Sequence, residues 1–373
     1  MAADPLGLAP GVAYDLAWSF AALAATLGCV AALAAAAPEH RLRWWLWTVA
    51  VASWLLAQLV WDLYGLVGFA RDPNLADVGW WAFALFVMVS VLPSRRTGRG
   101  QLAIALAEVA PLICAALGLC LSLLWQTATH SAVLGAARVS DLVYPCLYVS
   151  AAILTLQAML GGGLGGVRSR ATGLFLFGTA TISFAFIMWS QELLRSDYVP
   201  GTSLLDPLWV IGLGLISLGA LTAARRPEPT ATDPGPAVSG VVLPAGMFLL
   251  LIGALLTETL FGASPVAKQI LVLSLLCSGC ALIVRSTLLS WRVRGMLIRE
   301  QATSAALLQR ETELARLNRQ LVEDSRHDPL TGIGNRRALA EDLPMFLSRQ
   351  REAGEPVAVL LCDVDHFKAY NDT

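Results

Sequence analysis

The chain has 373 residues, of which 56% are hydrophobic and only 14% are charged, and its mean hydropathy is +0.64. Soluble domains carry about 25% charged residues, so the composition excludes an ordinary soluble protein. It indicates a polytopic α-helical membrane bundle that has the lipid bilayer as a partner. The net charge of −1 argues against a nucleic-acid partner.

Nine apolar stretches approach the length of about 20 residues that a helix needs to cross a bilayer. They lie at 12–37, 44–69, 78–93, 101–125, 139–161, 171–190, 204–223, 241–261 and 267–284. The first basic residue, Arg41, follows the first stretch rather than preceding it, so that stretch does not resemble a signal peptide. We therefore expect residues 1–284 to form a nine-span transmembrane domain that keeps its first helix.

Basic residues alternate between the loops that join these stretches. One set of loops carries Arg41 and Arg43; Arg95, Arg96 and Arg99; Arg168 and Arg170; Arg225 and Arg226; and Arg292, Arg294 and Arg299. The other set carries one basic residue each, namely Arg71, Arg138, Arg195 and Lys268. Because Lys and Arg concentrate in cytoplasmic loops, the N-terminus is expected outside and the C-terminus in the cytoplasm. The excess of arginine over lysine suggests a GC-rich bacterial genome, and hence the bacterial inner (cytoplasmic) membrane.

A threefold repeat runs through the spans. Three tryptophans recur at equal intervals, and each is followed by an aspartate and, three positions later, by an aromatic residue. The tryptophans are Trp61, Trp125 and Trp189, and the aspartates are Asp77, Asp141 and Asp206. Each repeat is expected to be a helical hairpin whose turn faces outside.

The repeated residues allow two interpretations. The aspartates could cap the helices that re-enter the membrane, with the aromatic residues at the membrane interface. Alternatively, together with Asp62, Glu192 and Glu258, they could form an acidic, aromatic outer cup that binds a ligand. Glu108 lies well inside the fourth stretch, where a carboxylate is costly and is usually paired or functional. Both a structural and a sensory role stay open for it.

Residues 285–326 form an arginine- and glutamate-rich segment without proline. Apolar residues recur there at seven-residue intervals, at Val293, Leu307, Leu314 and Leu321, although polar residues interrupt the pattern. The pattern predicts a cytoplasmic connector helix that pairs in a parallel coiled coil, which would make the protein a homodimer. The alternative is a single amphipathic helix that lies on the bundle or the membrane.

Residues 327–373 begin with a turn and a helix. Pro329 cannot continue the connector helix, and Gly332 and Gly334 permit positive φ. Asn335 is a suitable N-cap for a new helix, which Pro344 is expected to kink or split.

An apolar run then predicts a buried strand, VAVLLCDVD, followed by a helix from His366 onward. Asp363 and Asp365 lie two positions apart and would share one face at the end of that strand. Their oxygens could hold Mg²⁺, which prefers hard oxygen ligands, or the two aspartates could cap the helix that follows.

Two motif blocks in this segment resemble the opening of the GGDEF family, the diguanylate cyclases. The first block is Asp328-x-Leu330-Thr331-Gly332-Ile333-x-Asn335-Arg336-Arg337. The second block is Asp363-Val364-Asp365-x-Phe367-Lys368-x-x-Asn371-Asp372. The resemblance covers residues 326–373 and implies that 327–373 are the start of an α/β palm domain of the nucleotide-cyclase type.

The resemblance also implies an activity, in which two GTP molecules are joined into cyclic di-GMP with Mg²⁺ (or Mn²⁺). The implied metal ligands are Asp363 and the Val364 carbonyl. The implied GTP-binding residues are Phe367, Lys368, Asn371 and Asp372, with Asn371 on the guanine base. Each domain would carry one GTP, so two domains must meet face to face. A dimeric connector helix would bring the two domains together.

The signature loop of the family, G-G-x-E-F, does not occur in the printed sequence. This chain alone is therefore expected to be inactive, and to be either a fragment of a longer protein, which is the favoured interpretation, or a natural truncation. The favoured hypothesis is a membrane sensor that drives a diguanylate cyclase. Two alternatives stay open: a degenerate regulatory domain that binds GTP and precedes a cyclic di-GMP phosphodiesterase, or a transporter or receptor with an incidental cytoplasmic tail.

Overall fold

The structure, a computed structural model, describes residues 10–69, 73–92, 99–133, 135–160, 170–199, 202–225, 239–262 and 264–372. The chain divides into an N-terminal unit, Met1–Ser290, and a C-terminal unit, Trp291–Thr373. Five of the arginines that predict the orientation lie outside the described residues: Arg71, Arg95, Arg96, Arg168 and Arg226. The orientation in the membrane thus stays a prediction.

Each predicted span coincides with a helix. The helices are α1 (Pro10–Ala35), α2 (Arg41–Val67), α3 (Leu75–Ser90), α4 (Arg99–His130), α5 (Gly135–Leu160), α6 (Arg170–Leu194), α7 (Asp206–Arg225), α8 (Ser239–Leu260) and α9 (Pro265–Asp324). Within the described part of the chain, eight of them are long and apolar enough to cross a membrane. The exception is α3, which is apolar but has only 16 residues. These helices are compatible with a multi-pass membrane protein.

Six helices of the N-terminal unit form a closed ring. Around the ring, α1 packs against α2, α2 against α3, α3 against α5, α5 against α6, α6 against α7, and α7 against α1. The helix α4 packs mainly against α5 and α8. Three of the packed pairs, α2 with α3, α4 with α5 and α6 with α7, are the hairpins that the tryptophan repeat predicts.

Aromatic side chains and close helix contacts fill the core of this ring. Seven aromatic residues in the described part of the chain are at most 5% exposed: Trp47, Trp54, Phe83, Tyr144, Tyr148, Phe175 and Phe186. The rings of Tyr148 and Phe186 lie 4.2 Å apart. Gly79 lets α3 approach α2, since a Cβ at this position would lie only 2.7 Å from the carbonyl oxygen of Ser53. Small residues permit such close approach between helices in membranes.

The C-terminal unit begins within α9 and continues with a turn, α10 (Arg336–Ala353) and α11 (Phe367–Asn371). The helix α9 runs to Asp324, as the proline-free segment predicts. Gly332 has a φ of +71°, also as predicted, but Gly334 has no positive φ. Pro344 does not split α10, which continues through it to Ala353.

The prediction of a buried strand is wrong for this structure. Residues 355–364 have no regular secondary structure, and Val359, Leu360 and Leu361 are 79%, 87% and 94% exposed. A strand needs hydrogen bonds to a neighbouring strand, and among the described residues there is no strand to supply them. The apolar run therefore has neither a ladder partner nor a face to cover it, and the α/β palm stays a proposal.

Candidate functional site

Polar and aromatic side chains gather where α1, α2, α6 and α7 approach one another in the N-terminal unit. The indole nitrogen of Trp18 donates a hydrogen bond of 3.0 Å to the carbonyl oxygen of Asp206. The ring of Trp18 lies 5.7 Å from that of Trp209, in an edge-to-face arrangement. We call Asp15, Asp62, Glu192, Asp206, Trp18 and Trp209 the acidic–aromatic cluster.

Asp62 and Glu192 are half-buried carboxylates of this cluster. Asp62 accepts hydrogen bonds from the Ser19 hydroxyl at 2.6 Å and from the Gln58 amide at 2.9 Å. Glu192 accepts one from the Ser203 hydroxyl at 3.0 Å. These donors are all neutral, so they orient the carboxylates without balancing their charge.

Asp206 begins α7 and is fully buried. Its carboxylate accepts a hydrogen bond of 2.8 Å from the Tyr198 hydroxyl, which lies in the loop before α7. Burial, and then the charges of Asp206, Glu192 and Asp15, raise the pKa of Tyr198 well above its usual range. The hydroxyl therefore stays protonated and keeps its role as a donor to Asp206.

Asp15 belongs to the cluster, although the sequence did not single it out. The indole of Trp61 forms a hydrogen bond with its carboxylate, and its charge interacts with those of Asp62 and Asp206. A usable signal was present in the sequence. Asp15-x-x-Trp18 repeats the spacing of aspartate and aromatic residue in Asp206-x-x-Trp209.

Asp77 lies near the start of α3, but the prediction that it caps this helix needs correction. Asn74 is the N-cap residue, and Asp77 completes a capping box by accepting the Asn74 backbone N–H at 2.6 Å. The other oxygen of Asp77 accepts a hydrogen bond from the Tyr144 hydroxyl. Asp77 therefore joins α3 to α5 in addition to closing the end of α3.

Asp141 does not cap a helix either. It lies in the second turn of α5 and is 1% exposed, and its carbonyl oxygen accepts a hydrogen bond of 2.7 Å from the Ser190 hydroxyl. A capping aspartate would lie before the first turn. The repeat thus places three aspartates in three different roles.

The repeat tryptophans also differ from one another. The ring of Trp61 lies 5.8 Å from that of Trp80, and the ring of Trp189 lies 6.4 Å from that of Trp209. Trp125, on α4, contacts no aromatic ring among the described residues. Only Trp61 and Trp189 border the cluster.

Two other predicted residues lie apart from the cluster. Glu108, on α4, is half-buried and has no hydrogen bond or ion pair with a described residue. Glu258, grouped with the rim by the sequence, accepts a hydrogen bond of 3.1 Å from the Ser264 backbone N–H between α8 and α9. Neither Glu108 nor Glu258 therefore belongs to the acidic–aromatic cluster.

In the C-terminal unit, the first motif block forms a tight turn. The Asp328 carboxylate accepts hydrogen bonds from the Leu330 and Thr331 amides and from the Thr331 hydroxyl, at 3.0 to 3.1 Å. These bonds lower the pKa of Asp328, the backbone bond from Thr331 contributing most. The Asp-x-Leu-Thr spacing therefore places the donors of Leu330 and Thr331 within hydrogen-bonding distance of the Asp328 carboxylate.

Asn335 connects this turn to α10. Its side-chain oxygen accepts hydrogen bonds from the Arg337 and Ala338 amides, which confirms its role as the N-cap. Its side-chain nitrogen donates to the Ser325 carbonyl oxygen at 2.8 Å. Arg326 adds an ion pair of 2.8 Å with Glu341. The end of α9 and the start of α10 are thereby held in one geometry.

The residues of the second motif block are exposed. Asp363 and Val364 lie in the segment without regular structure, and the Val364 carbonyl oxygen accepts a hydrogen bond of 3.2 Å from the Phe367 N–H. Three implied GTP-binding residues, Phe367, Lys368 and Asn371, lie on α11, and Asp372 follows it. No group of three or more His, Cys, Asp or Glu side chains is arranged for a metal ion in the described part of the chain.

Residues 325–373 match the family model described as Diguanylate cyclase, GGDEF domain. The C-terminal segment belongs to the GGDEF family. We call residues 325–373 the GGDEF segment. Its two motif blocks are the Asp328 turn and the segment around Asp363.

Curated relatives match short stretches of the chain. The identity is 46% over 46 residues with Response regulator PleD of Caulobacter vibrioides, covering 12% of this chain and 10% of the relative. It is 42% over 55 residues with Diguanylate cyclase DgcP of Pseudomonas aeruginosa, covering 14% and 8%. It is 40% over 63 residues with Diguanylate cyclase VdcA of Vibrio cholerae, covering 16% and 17%. The chain thus spans a small part of each relative, and no solved structure matches it.

Proposed function

We propose that the protein is a membrane-bound sensor whose GGDEF segment is part of a diguanylate cyclase, which makes cyclic di-GMP from two GTP molecules. The observation that carries this proposal is the match of residues 325–373 to the GGDEF family. The eight long apolar helices support the membrane location. In this proposal the N-terminal unit receives the signal and the GGDEF segment belongs to the responding domain.

Asp363, the Val364 carbonyl and Asp365 would hold a divalent cation, Mg²⁺ (or Mn²⁺). Their oxygens fit the hard ligands that Mg²⁺ prefers, and no described residue hydrogen-bonds to either carboxylate. A bound cation would neutralise charge that develops in phosphoryl transfer. Four residues beside this position would bind GTP: Phe367, Lys368, Asn371 and Asp372.

A homodimer would bring two GTP-loaded domains together. Leu307, Leu314 and Leu321 recur every seven residues on α9, and they are 61%, 65% and 67% exposed. Apolar residues with this period pair helices in coiled coils. The exposed row supports pairing with the same row of a second copy.

The proposed orientation places the N-terminus outside and the GGDEF segment in the cytoplasm of a bacterium. It rests on the alternation of arginine between loops and on the location of GTP, which is a cytoplasmic nucleotide. Reporter fusions after Arg292 and after Lys268 test it. The fusion after Arg292 is expected in the cytoplasm and the fusion after Lys268 outside it. The reverse arrangement, or the same side for both, would contradict the orientation.

The activity is tested with the protein produced from its complete gene. Asp363→Asn removes one charge from the proposed metal site, so cyclic di-GMP in membranes supplied with GTP and Mg²⁺ should fall to background. The matched control is Glu352→Gln, an exposed residue of α10 without a hydrogen bond to a described residue, which should leave the product level unchanged. Undiminished synthesis by Asp363→Asn would overturn the assignment.

A further inference from the structure

We propose that the acidic–aromatic cluster binds a small organic cation that carries a hydrogen-bond acceptor, such as a compact amino alcohol. The proposal deepens the sensor function, on which its signalling role rests, by naming the class of ligand. It differs from the cup that the sequence predicts, because Asp77, Asp141 and Glu258 are not members. The cluster instead draws on Asp15 and Trp18 of α1.

The charge of the cluster favours a cation. Among the described residues, no Lys or Arg forms an ion pair with Asp15, Asp62 or Glu192. Their hydrogen-bond partners, from Trp61, Ser19, Gln58 and Ser203, are all neutral. Because Asp15, Asp62 and Glu192 are gathered with no basic partner among the described residues, they create a negative potential that concentrates cations.

The spacing of the carboxylates favours an organic cation over a metal ion. A metal ion needs several oxygen ligands at 2.0–2.6 Å, roughly, from one point. The described residues contain no group of three or more His, Cys, Asp or Glu side chains in such an arrangement. A larger ion, whose charge is spread over an ammonium group and its substituents, can interact with carboxylates that stand further apart.

The aromatic rings of the cluster fit the same ligand. Trp209 contacts Trp18 with ring centroids 5.7 Å apart and Trp189 with centroids 6.4 Å apart, and both pairs are edge-to-face. Such an arrangement turns the rings of neighbouring indoles in different directions. The faces of tryptophan are the strongest of the aromatic side chains in attracting ammonium groups.

The indole nitrogen of Trp209 provides a separate indication of a ligand. Trp209 is only 7% exposed, and its ring lies among Trp18, Trp189 and Phe186. Its N–H has no hydrogen-bond partner among the described residues. Buried donors are almost always satisfied, so a ligand with a hydroxyl or carbonyl oxygen would complete this one.

Calorimetric titration of the purified full chain in lipid nanodiscs tests the proposal with choline as the probe. The neutral carbon isostere of choline, in which carbon replaces the quaternary nitrogen, should bind at least about tenfold more weakly, since it has no charge for the rings and carboxylates. Tetramethylammonium lacks the acceptor oxygen and should bind about fivefold more weakly. Equal binding of choline and its isostere, or no binding of choline, would overturn the proposal.

Substitutions test whether choline binds at the acidic–aromatic cluster. Asp62→Asn should weaken choline binding about tenfold, and Trp209→Phe, which keeps an aromatic ring but removes the N–H, about fivefold. Glu258→Gln is the matched control, because this carboxylate lies outside the cluster, and it should leave the affinity unchanged. If Asp62→Asn does not fold, Glu192→Gln replaces it, and native affinity in the replacement together with Trp209→Phe would exclude the cluster as the site.

The ligand inference and the sensor function are tested independently, because the titration does not depend on cyclic di-GMP synthesis. If choline binds with the expected selectivity and cyclic di-GMP synthesis does not respond, the site is supported and the sensor function is wrong. If synthesis depends on the N-terminal unit and choline does not bind, the ligand inference is wrong and the sensor function is kept.

Discussion

The two units differ in how far apart along the chain their hydrogen-bonding partners lie. In the N-terminal unit, Trp18 bonds to Asp206 across 188 positions, and Tyr144 bonds to Asp77 across 67. In the C-terminal unit, side-chain hydrogen bonds among the described residues join positions at most 16 apart, the separation of Arg326 and Asp342. The polar groups of one unit are therefore placed by helix packing, and those of the other by local turns and caps.

Because of this difference, we expect a substitution to have a more widespread structural effect in the N-terminal unit than in the C-terminal unit. A substitution at a helix contact of the N-terminal unit disturbs every distant pair that the contact holds in place. A substitution in the Asp328 turn affects only the few residues beside it.

Gly79→Ala should destabilise the N-terminal unit by about 1–3 kcal/mol, because a Cβ at this position overlaps Ser53 and Ala57 of α2. Thermal unfolding of the protein in detergent measures the effect. The matched control is Gly173→Ala, within α6, where a Cβ meets no atom within 4 Å. The control should be neutral or slightly stabilising, and equal melting temperatures for the two variants would contradict the close packing of α2 and α3.

Tyr144→Phe should cost about 1–2 kcal/mol, as hydrogen bonds between membrane helices do in model peptides. The variant removes the donor to Asp77, which is 5% exposed, and so loosens α3 from α5. The same unfolding assay applies. Tyr64→Phe is the control, since the hydroxyl of Tyr64 has no hydrogen bond to a described residue. Should both variants melt alike, the bond between α3 and α5 contributes nothing.

Asn335→Ala should destabilise the start of α10 by about 1 kcal/mol, the usual loss for an N-cap. Hydrogen exchange of the Arg337 and Ala338 amides should become faster, because both amides lose their acceptor. Exchange in the N-terminal unit should not change. Asn318→Ala, exposed in the middle of α9, serves as the control, and faster exchange there would indicate general disturbance rather than a lost cap.

The smallest effect concerns the pH dependence of the Asp328 turn. The pKa of Asp328 is lower in the folded turn than in the unfolded chain, so its contribution to stability is present above the ordinary aspartate pKa. This contribution is lost as the pH falls through the depressed value. An NMR titration of Asp328 should show the depressed midpoint, and Thr331→Val should raise it. A midpoint that does not move with Thr331→Val would contradict the hydrogen-bonding cause.

The sequence predicted those features that depend on nearby residues. Apolar stretches located the helices α1 to α9. Pro329 and Gly332 indicated the turn after α9, and Asn335 was recognisable as an N-cap. The predicted strand that ends at Asp365 was wrong, because strand formation depends on a partner strand that a local sequence pattern does not supply. The Asp15-x-x-Trp18 spacing was a local signal that was overlooked. The proximity of Asp15 to Asp62 and Asp206 depends on the packing of α1 beside α2 and α7, which the sequence of α1 does not specify.

The rate of cyclic di-GMP formation tests most directly the claim that the N-terminal unit controls this synthesis. Membranes containing the protein from its complete gene are supplied with GTP and Mg²⁺, and product formation is compared between the native protein and Asp62→Asn. Coupling between distant sites typically amounts to about fivefold or more, so a change of this size in either direction is expected at equal protein levels. Equal rates in the two proteins would contradict the account.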